Sequence, residues 1–292
     1  MFLAPDDVHS TVPKASVVIL TKNAGQAFAK VLDAIAAQNA DFTYELVIVD
    51  SGSTDGTREL LSRYPVRLTE IRPEHFNFGL TRNLAFSLAR GEYIVTISQD
   101  VTPCQPDWLS RLIAPFSHDA KVAAVQGATT LPEHADVFYW ERSDEGFYFT
   151  REVAKWLALH KCGLSFVNCA IRRSFWLHHQ LEYTPFSEDK LFQKRIHDAG
   201  FEIAVARGAL CYHGHQYSLR SLARRLVGEG VGWRYASLRY SLRECLLDIY
   251  AHKWMLRRAF EAYRAGELRS FPELFFPVLR PLLIYWGNTF RR

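Results

Sequence analysis

Cysteine is scarce in this chain and shows no pairing pattern. Five residues (Cys104, Cys162, Cys169, Cys211 and Cys245) form an odd set with no CxxC spacing. That argues against a disulfide framework and a thiolate zinc site, and it fits a reducing compartment, so a cytoplasmic location is expected. Long hydrophobic runs are lacking as well. No stretch approaches the roughly 18 uninterrupted apolar residues of a spanning helix. The opening MFLAPDDVHSTVPK has neither a basic start nor a continuous apolar stretch, which argues against a secretory leader. Internal repeats and low-complexity segments are also missing. What is present is globular: 292 residues with 48% hydrophobic and 23% charged side chains, enough for one large domain or two small ones.

Acidic residues thin out towards the end. Residues 216–292 hold 14 Lys and Arg against 6 Asp and Glu, whereas residues 1–215 hold 21 against 25. The basic part interleaves arginine with Trp, Tyr, Leu and Phe, as in GWRYASLRYSLRECLLDIY and ELFFPVLRPLLIYW. Such a composition suits helices in peripheral contact with an anionic membrane. It equally suits a helical subdomain whose apolar sides pack inward while arginine stems reach outward. No nucleic-acid-binding module accompanies the charge, so a nucleic-acid partner is not expected.

Periodicity gives the organisation. ASVVIL and YELVIVD are short β-branched runs, and AFAKVLDAIAAQ between them repeats apolar residues at helical spacing. The alternation continues through DGTRELLSRY, VRLTEI, GLTRNLAFSLAR, EYIVTIS, PDWLSRLIAPF and KVAAVQGATT, then loosens over 130–165. LSFVNCAIRR reads as a strand, EDKLFQKRIHDAG as a helix, and EIAVA and ALCYH as two closing strands. Alternating strands and helices predict an α/β fold, a mostly parallel sheet with helices on both faces. From Ser218 onward the pattern is helical, which divides the chain into residues 1–217 and a helical region, 218–292.

In open α/β sheets ligands gather at the carboxyl ends of the strands. Here the first strand runs into Thr21-Lys22-Asn23, the second into Asp50 and the loop SGSTDGT, and another into Gln99-Asp100. Asp50 beside Ser51, Gly52 and Ser53 offers a carboxylate and a polar loop, suited to the imide and ribose of a pyrimidine nucleotide. Asp55 fits a helix cap. Asp100, in ISQDVTP, fits either a ligand site or a plain turn. GEGVG at 228–232 follows a helical stretch rather than a strand, so it is no dinucleotide fingerprint.

VVILTKN, ELVIVDSGSTDGT, NFGLTRNLA followed by GEYIVTISQD, FSEDKLFQKRI and YHGH stand in the order and spacing of family 2 inverting glycosyltransferases of GT-A fold. The chain resembles most the bacterial rhamnosyltransferase-like branch, in which the usual Asp-x-Asp becomes a Gln-Asp pair and the closing motif is His-x-His. The resemblance covers roughly residues 14–230. It implies a hexosyltransferase of polysaccharide biosynthesis that uses a nucleotide-sugar donor, dTDP-rhamnose or a UDP-sugar, and a glycan or lipid-linked glycan acceptor.

Carried over residue by residue, the resemblance puts the nucleotide sugar on Thr21, Asn23, Asp50, Ser53, Arg82, Gln99 and Asp100. Lys22 departs from the aromatic or small residue usual in the first motif; its charge would either help hold phosphate or point to water. A divalent cation, Mn2+ or Mg2+, is implied on Asp100 together with His213 or His215, His213 being favoured. Asp189 is implied as general base, with Glu188 beside it. Ser followed by two acids is also good capping chemistry for a helix start, and the two roles are compatible. Trp140 and Arg142, flanking Glu141, are expected near the acceptor, with core packing of these aromatics as the alternative. Two other classes stand beside this reading. A nucleotidyltransferase would carry a Gly-rich, Arg-containing loop where LTKNAGQ stands, and a non-catalytic sugar-nucleotide-binding module would not need the acidic pair.

Overall fold

The computed structural model describes residues 1–3, 12–132, 138–142, 164–214, 218–251 and 253–291. The chain divides into two compact units: Met1–Pro132 with Cys162–Tyr183 and Glu188–Gly214, and Glu133–Lys161 with Thr184–Ser187 and His215–Arg292.

The first unit is built on an eight-stranded sheet in the order β3-β2-β1-β4-β7-β6-β8-β5. The strands are β1 (Ala15–Thr21), β2 (Tyr44–Asp50), β3 (Val66–Glu70), β4 (Tyr93–Ile97), β5 (Val101–Pro103), β6 (Val122–Thr130), β7 (Asn168–Arg172) and β8 (Glu202–His213). Helices α1 (Phe28–Ala36), α2 (Thr57–Leu61), α3 (Phe78–Leu88), α4 (Trp108–Ile113), α5 (Arg173–His178) and α6 (Glu188–Asp198) connect them. Alternate residues of β1 and β2 supply two cores. Val17, Ile19 and Ile48 pack with Leu32, Ile35 and Trp108 on one face, while Val18, Val47 and Val49 pack with Phe86, Phe175 and Trp176 on the other. A strand buried on both faces needs apolar residues at every position, which is why these strands read as unbroken apolar runs.

Two strands form the antiparallel minority of the expected mostly parallel sheet. β7 lies antiparallel between β4 and β6, and β5 pairs antiparallel with the end of β8. The sheet is therefore mostly parallel, with β7 and β5 reversed. The two closing strands expected from EIAVA and ALCYH are one strand, β8. Its register with β6 jumps from Gly127↔Ala206 to Ala128↔Leu210, so residues 207–209 form a bulge within a continuous pairing.

At the opposite edge of the sheet, the start of β2 carries a buried carboxylate, Glu45. It accepts hydrogen bonds from Ser16 Oγ at 2.6 Å, from the Arg90 backbone N–H at 2.8 Å and from Arg90 Nη2 at 2.6 Å. Burial alone would raise its pKa, but the Arg90 and Ser16 hydrogen bonds and the Arg90 charge outweigh burial and hold it below the ordinary value.

The second unit is helical: α7 (Leu219–Tyr235), α8 (Leu242–Ala251), α9 (Lys253–Arg264) and α10 (Phe276–Thr289). Its core includes Trp140, Leu226, Trp233, Met255, Phe276 and Ile284. The glycines of GEGVG are packing residues. A Cβ on Gly230 would fall 2.1 Å from the Ile284 carbonyl oxygen, and one on Gly287 would fall 1.9 Å from that of Val227. The backbones of α7 and α10 thus approach more closely than any side chain permits. Asn288 seals the contact, donating to the Gly230 carbonyl at 3.1 Å and accepting from the Tyr240 N–H at 3.0 Å.

Candidate active site

The carboxyl ends of β1, β2 and β4 meet at one edge of the first unit's sheet. Asp50, fully buried, closes the loop that follows it. Its Oδ1 accepts from the backbone N–H of Gly52 at 3.0 Å and of Ser53 at 2.8 Å, and its Oδ2 accepts from Ser53 Oγ at 2.5 Å. Gly52 makes the turn at φ +83°, with Pro73 against its Cα hydrogens, so a side chain there would be both strained and blocked. Ser53 Oγ in turn accepts from the Asn23 N–H at 2.8 Å, and Asn23 Oδ1 accepts from the Thr54 N–H at 2.9 Å. Asn23 itself sits in the left-handed region at φ +49°, a conformation its short polar side chain tolerates.

Thr57 completes the frame, its Oγ1 accepting from the Ala24 N–H at 2.9 Å. The same hydroxyl donates to Asp55 at 2.6 Å, so Asp55 closes the local turn before α2. Asp50, Ser53 and Asn23 are therefore one hydrogen-bonded frame between two strand ends. Thr21 Oγ1, at the end of β1, is buried with no hydrogen-bond partner among the described residues. An unspent buried hydroxyl at such an edge calls for an explanation.

Gln99 links β1 and β4: its Oε1 accepts from the Lys22 N–H at 2.9 Å and its Nε2 donates to the Lys22 carbonyl at 3.3 Å. The backbone then turns through Asp100 into β5, a strand that sequence reading missed because three residues ending in proline give no periodic signal. The pairing of β5 with β8 sets Val101 opposite His213. That register brings Asp100 Oδ2 within 3.8 Å of His213 Nε2, with the carboxylate half exposed and the imidazole largely covered. A carboxylate oxygen and an imidazole nitrogen together suit a manganese-like divalent ion. Among the described residues there is no group of three or more His, Cys, Asp and Glu that could hold a metal, so an ion on this pair would draw its other ligands from elsewhere. His215 lies outside the described residues.

Arg82 is drawn inward from α3. Its Nε donates to Glu188 Oε1 at 2.7 Å, its Nη1 donates to Thr96 Oγ1 of β4 at 2.9 Å, and its guanidinium lies 4.7 Å from the centre of the Phe166 ring. Both Arg82 and Glu188 are less than a tenth exposed. Burial pushes the Glu188 carboxyl above its ordinary pKa; the Arg82 charge works against that, and the Asp189 charge reinforces it. The ion pair ties the first residue of α6 to the strand that ends beside Asp100. Asp189, next on α6, keeps one fifth of its side chain exposed and accepts from the Lys190 N–H at 2.8 Å. Lys190 Nζ donates to the Leu164 carbonyl at 2.5 Å and lies 3.9 Å from Asp189 Oδ2. Thr96 and Lys190 stand inside the family motifs with no role assigned to them, Phe166 stands outside those motifs, and the parts all three play emerge only from the packing.

Trp140 packs as the core alternative expects. It is buried in the second unit's core, stacked 3.6 Å from Phe276 and 4.4 Å from Phe138 between ring centres, so it offers no open sugar-facing surface. The side chains of Glu141 and Arg142 lie outside the described residues.

The sequence profile described as Glycosyl transferase family 2 matches residues 16–177. The chain belongs to this family. Over 230 residues this family 2 protein is 30% identical to the O-antigen chain rhamnosyltransferase WbaN of Salmonella anatum, spanning 75% of this chain and 72% of that one. Its fold is similar to that of the mannosyltransferase PcManGT from Pyrobaculum calidifontis, solved with GDP-Man and Mn2+. The TM-score is 0.58 at 17% identity, covering 97% of this chain and 72% of that one. It is also similar to glucosyl-3-phosphoglycerate synthase from Mycobacterium tuberculosis, solved with Mg2+ and uridine-diphosphate (TM-score 0.57, 20% identity, 72% of this chain and 74% of that one). The protein is a glycosyltransferase with the GT-A fold.

Proposed function

We propose that this glycosyltransferase moves L-rhamnose, with inversion, from dTDP-rhamnose to a growing cell-surface glycan carried on a lipid. The observation that carries the reading is the Arg82 bridge: it ties the acidic start of α6 to β4, the strand that runs into the Asp100 turn beside His213. The likeness to an O-antigen chain rhamnosyltransferase supports the choice of donor sugar and acceptor class.

In this reading the frame of Asn23, Asp50 and Ser53 holds the nucleoside, and Thr21 Oγ1 finds its partner there. Asp100 and His213 would hold a divalent cation, which supplies charge neutralisation for the departing diphosphate. Asp189 accepts the proton of the acceptor hydroxyl as its oxygen forms the bond to the anomeric carbon and the bond from that carbon to the diphosphate oxygen breaks. Arg82 holds Glu188, and through it the first turn of α6, in the orientation that aims Asp189.

The test is calorimetric titration with dTDP, UDP, GDP and ADP, each with and without Mn2+, on the native chain and on Asp100→Ala and Asp189→Asn. Manganese-dependent dTDP binding that Asp100→Ala abolishes is expected. For Asp189→Asn, unchanged dTDP affinity with transfer reduced about a hundredfold or more is expected, the scale of a lost general base. Preference for UDP would transfer the same residues to a UDP-sugar donor. Transfer unaffected in Asp189→Asn would overturn the base assignment.

A further inference from the structure

The second unit has an apolar surface that its own core does not use. On α9, Met255, Ala259 and Ala262 are buried, while Leu256, Phe260 and Tyr263 share the adjacent side and stand in solvent. The rings continue past the helix. Phe260 lies 6.4 Å from Tyr263, Tyr263 6.1 Å from Phe271, and Phe271 5.8 Å from Phe275, centre to centre. These rings are 54%, 49%, 60% and 48% exposed in that order, so the ladder is half in water along its length. Beyond Phe275, α10 repeats exposed apolar residues at helical spacing as far as Trp286 and Phe290, which lie 5.0 Å apart.

The charge beside this ladder is mostly basic, with one acid, Glu261, paired to Arg257 at 3.0 Å and to Arg258 at 4.0 Å. Lys253, Arg257 and Arg264 border the Phe260 side of α9, and the Arg257 side chain is 85% exposed. Lys253 Nζ sits 4.6 Å from the centre of the exposed Tyr250 ring, ammonium and aromatic surface together. Two of the six acids in residues 216–292, Asp248 and Glu273, are buried, as is one of the 14 bases, Arg280, so bases still outnumber acids outside the core.

We propose that this face docks on an anionic lipid bilayer, with the Phe260, Tyr263, Phe271 and Phe275 ladder at the headgroup–acyl boundary and the basic residues over the headgroups. Aromatic rings prefer that boundary, and each basic residue near it is attracted to the anionic surface. Two copies meeting through the same face would oppose their basic rims, which favours lipid over self-association. No helix of the described residues is long and apolar enough to cross a membrane, so the mode is peripheral. The inference needs neither the donor nor the acceptor assignment.

Flotation of the full chain with phosphatidylcholine vesicles, and with vesicles containing phosphatidylglycerol, tests it. Binding to the anionic vesicles alone, weakened by salt, is expected. Phe271→Ser/Phe275→Ser and, separately, Arg257→Glu/Arg264→Glu should each lower partitioning about tenfold or more. Thermal melting and dTDP titration on the same variants should match the native chain. In the native chain, brominated phosphatidylglycerol should quench tryptophan emission, a readout that depends on no variant. Failure to float with either vesicle, equal flotation with both, or flotation untouched by the variants would overturn the proposal. So would concentration-dependent self-association lost in these variants without vesicle binding.

Discussion

A carboxylate at the end of a strand can be buried or exposed, and Asp50 and Asp100 differ in this. Asp50 is buried with both oxygens committed to its own loop, whereas Asp100 is half exposed and faces an imidazole. Both were legible as candidates because a lone acid after an apolar run is conspicuous; their different environments were not, since burial is decided by neighbours far along the chain. The Arg82–Glu188 pair, 106 residues apart, shows the same limit: each residue stood in a readable motif, yet only the fold joins them. Glu45 allows a test of charge at this scale. Its pKa is lowered in the folded state, so its contribution is present above the unfolded value near 4.5 and is lost as pH falls through the lower folded value. Glu45→Gln should cost about 2 kcal/mol at neutral pH, a typical worth for hydrogen bonds to a buried charge. Urea unfolding across pH 3 to 7 should show that cost shrinking towards the acid end.

Elements were readable where burial imposed a pattern. β1, β2 and β4 announce themselves because both faces are covered. β5 was invisible as an edge strand of three residues, and β8 was split in two because Arg207-Gly208 looks like an ending when it is a bulge. The glycines of α7 were not read as a phosphate-binding fingerprint, and their packing partners are far off in sequence: Gly230 meets a helix some fifty residues later, while Gly228 and Gly232 meet Phe186 and Ser187 some forty residues earlier. Gly287→Ala should therefore destabilise the second unit by about 2 kcal/mol or more, because the added methyl meets the backbone oxygen of Val227, which cannot rotate away. Thermal melting by circular dichroism checks this. Gly266→Ala is the comparison, since its own cost would come from the φ of +71° alone, with nothing within 4 Å of the new atom.

On the scale of the whole molecule, composition separates slightly acidic residues 1–215 from strongly basic residues 216–292, whereas the second compact unit also takes in 133–161 and 184–187, and each unit has its own hydrophobic core. The few cysteines are distributed accordingly. Cys169 and Cys211 are sealed in the sheet unit and Cys245 in the helical unit, all with thiols pushed up by burial, that of Cys245 to about 11. A thiol so placed reacts with a disulfide reagent only when its surroundings open, so each is a native clock for its own unit. Labelling rates followed site by site by mass spectrometry would time the opening of the two halves of one unmodified chain. With donor nucleotide added, Cys169 and Cys211 should slow and Cys245 should keep its pace.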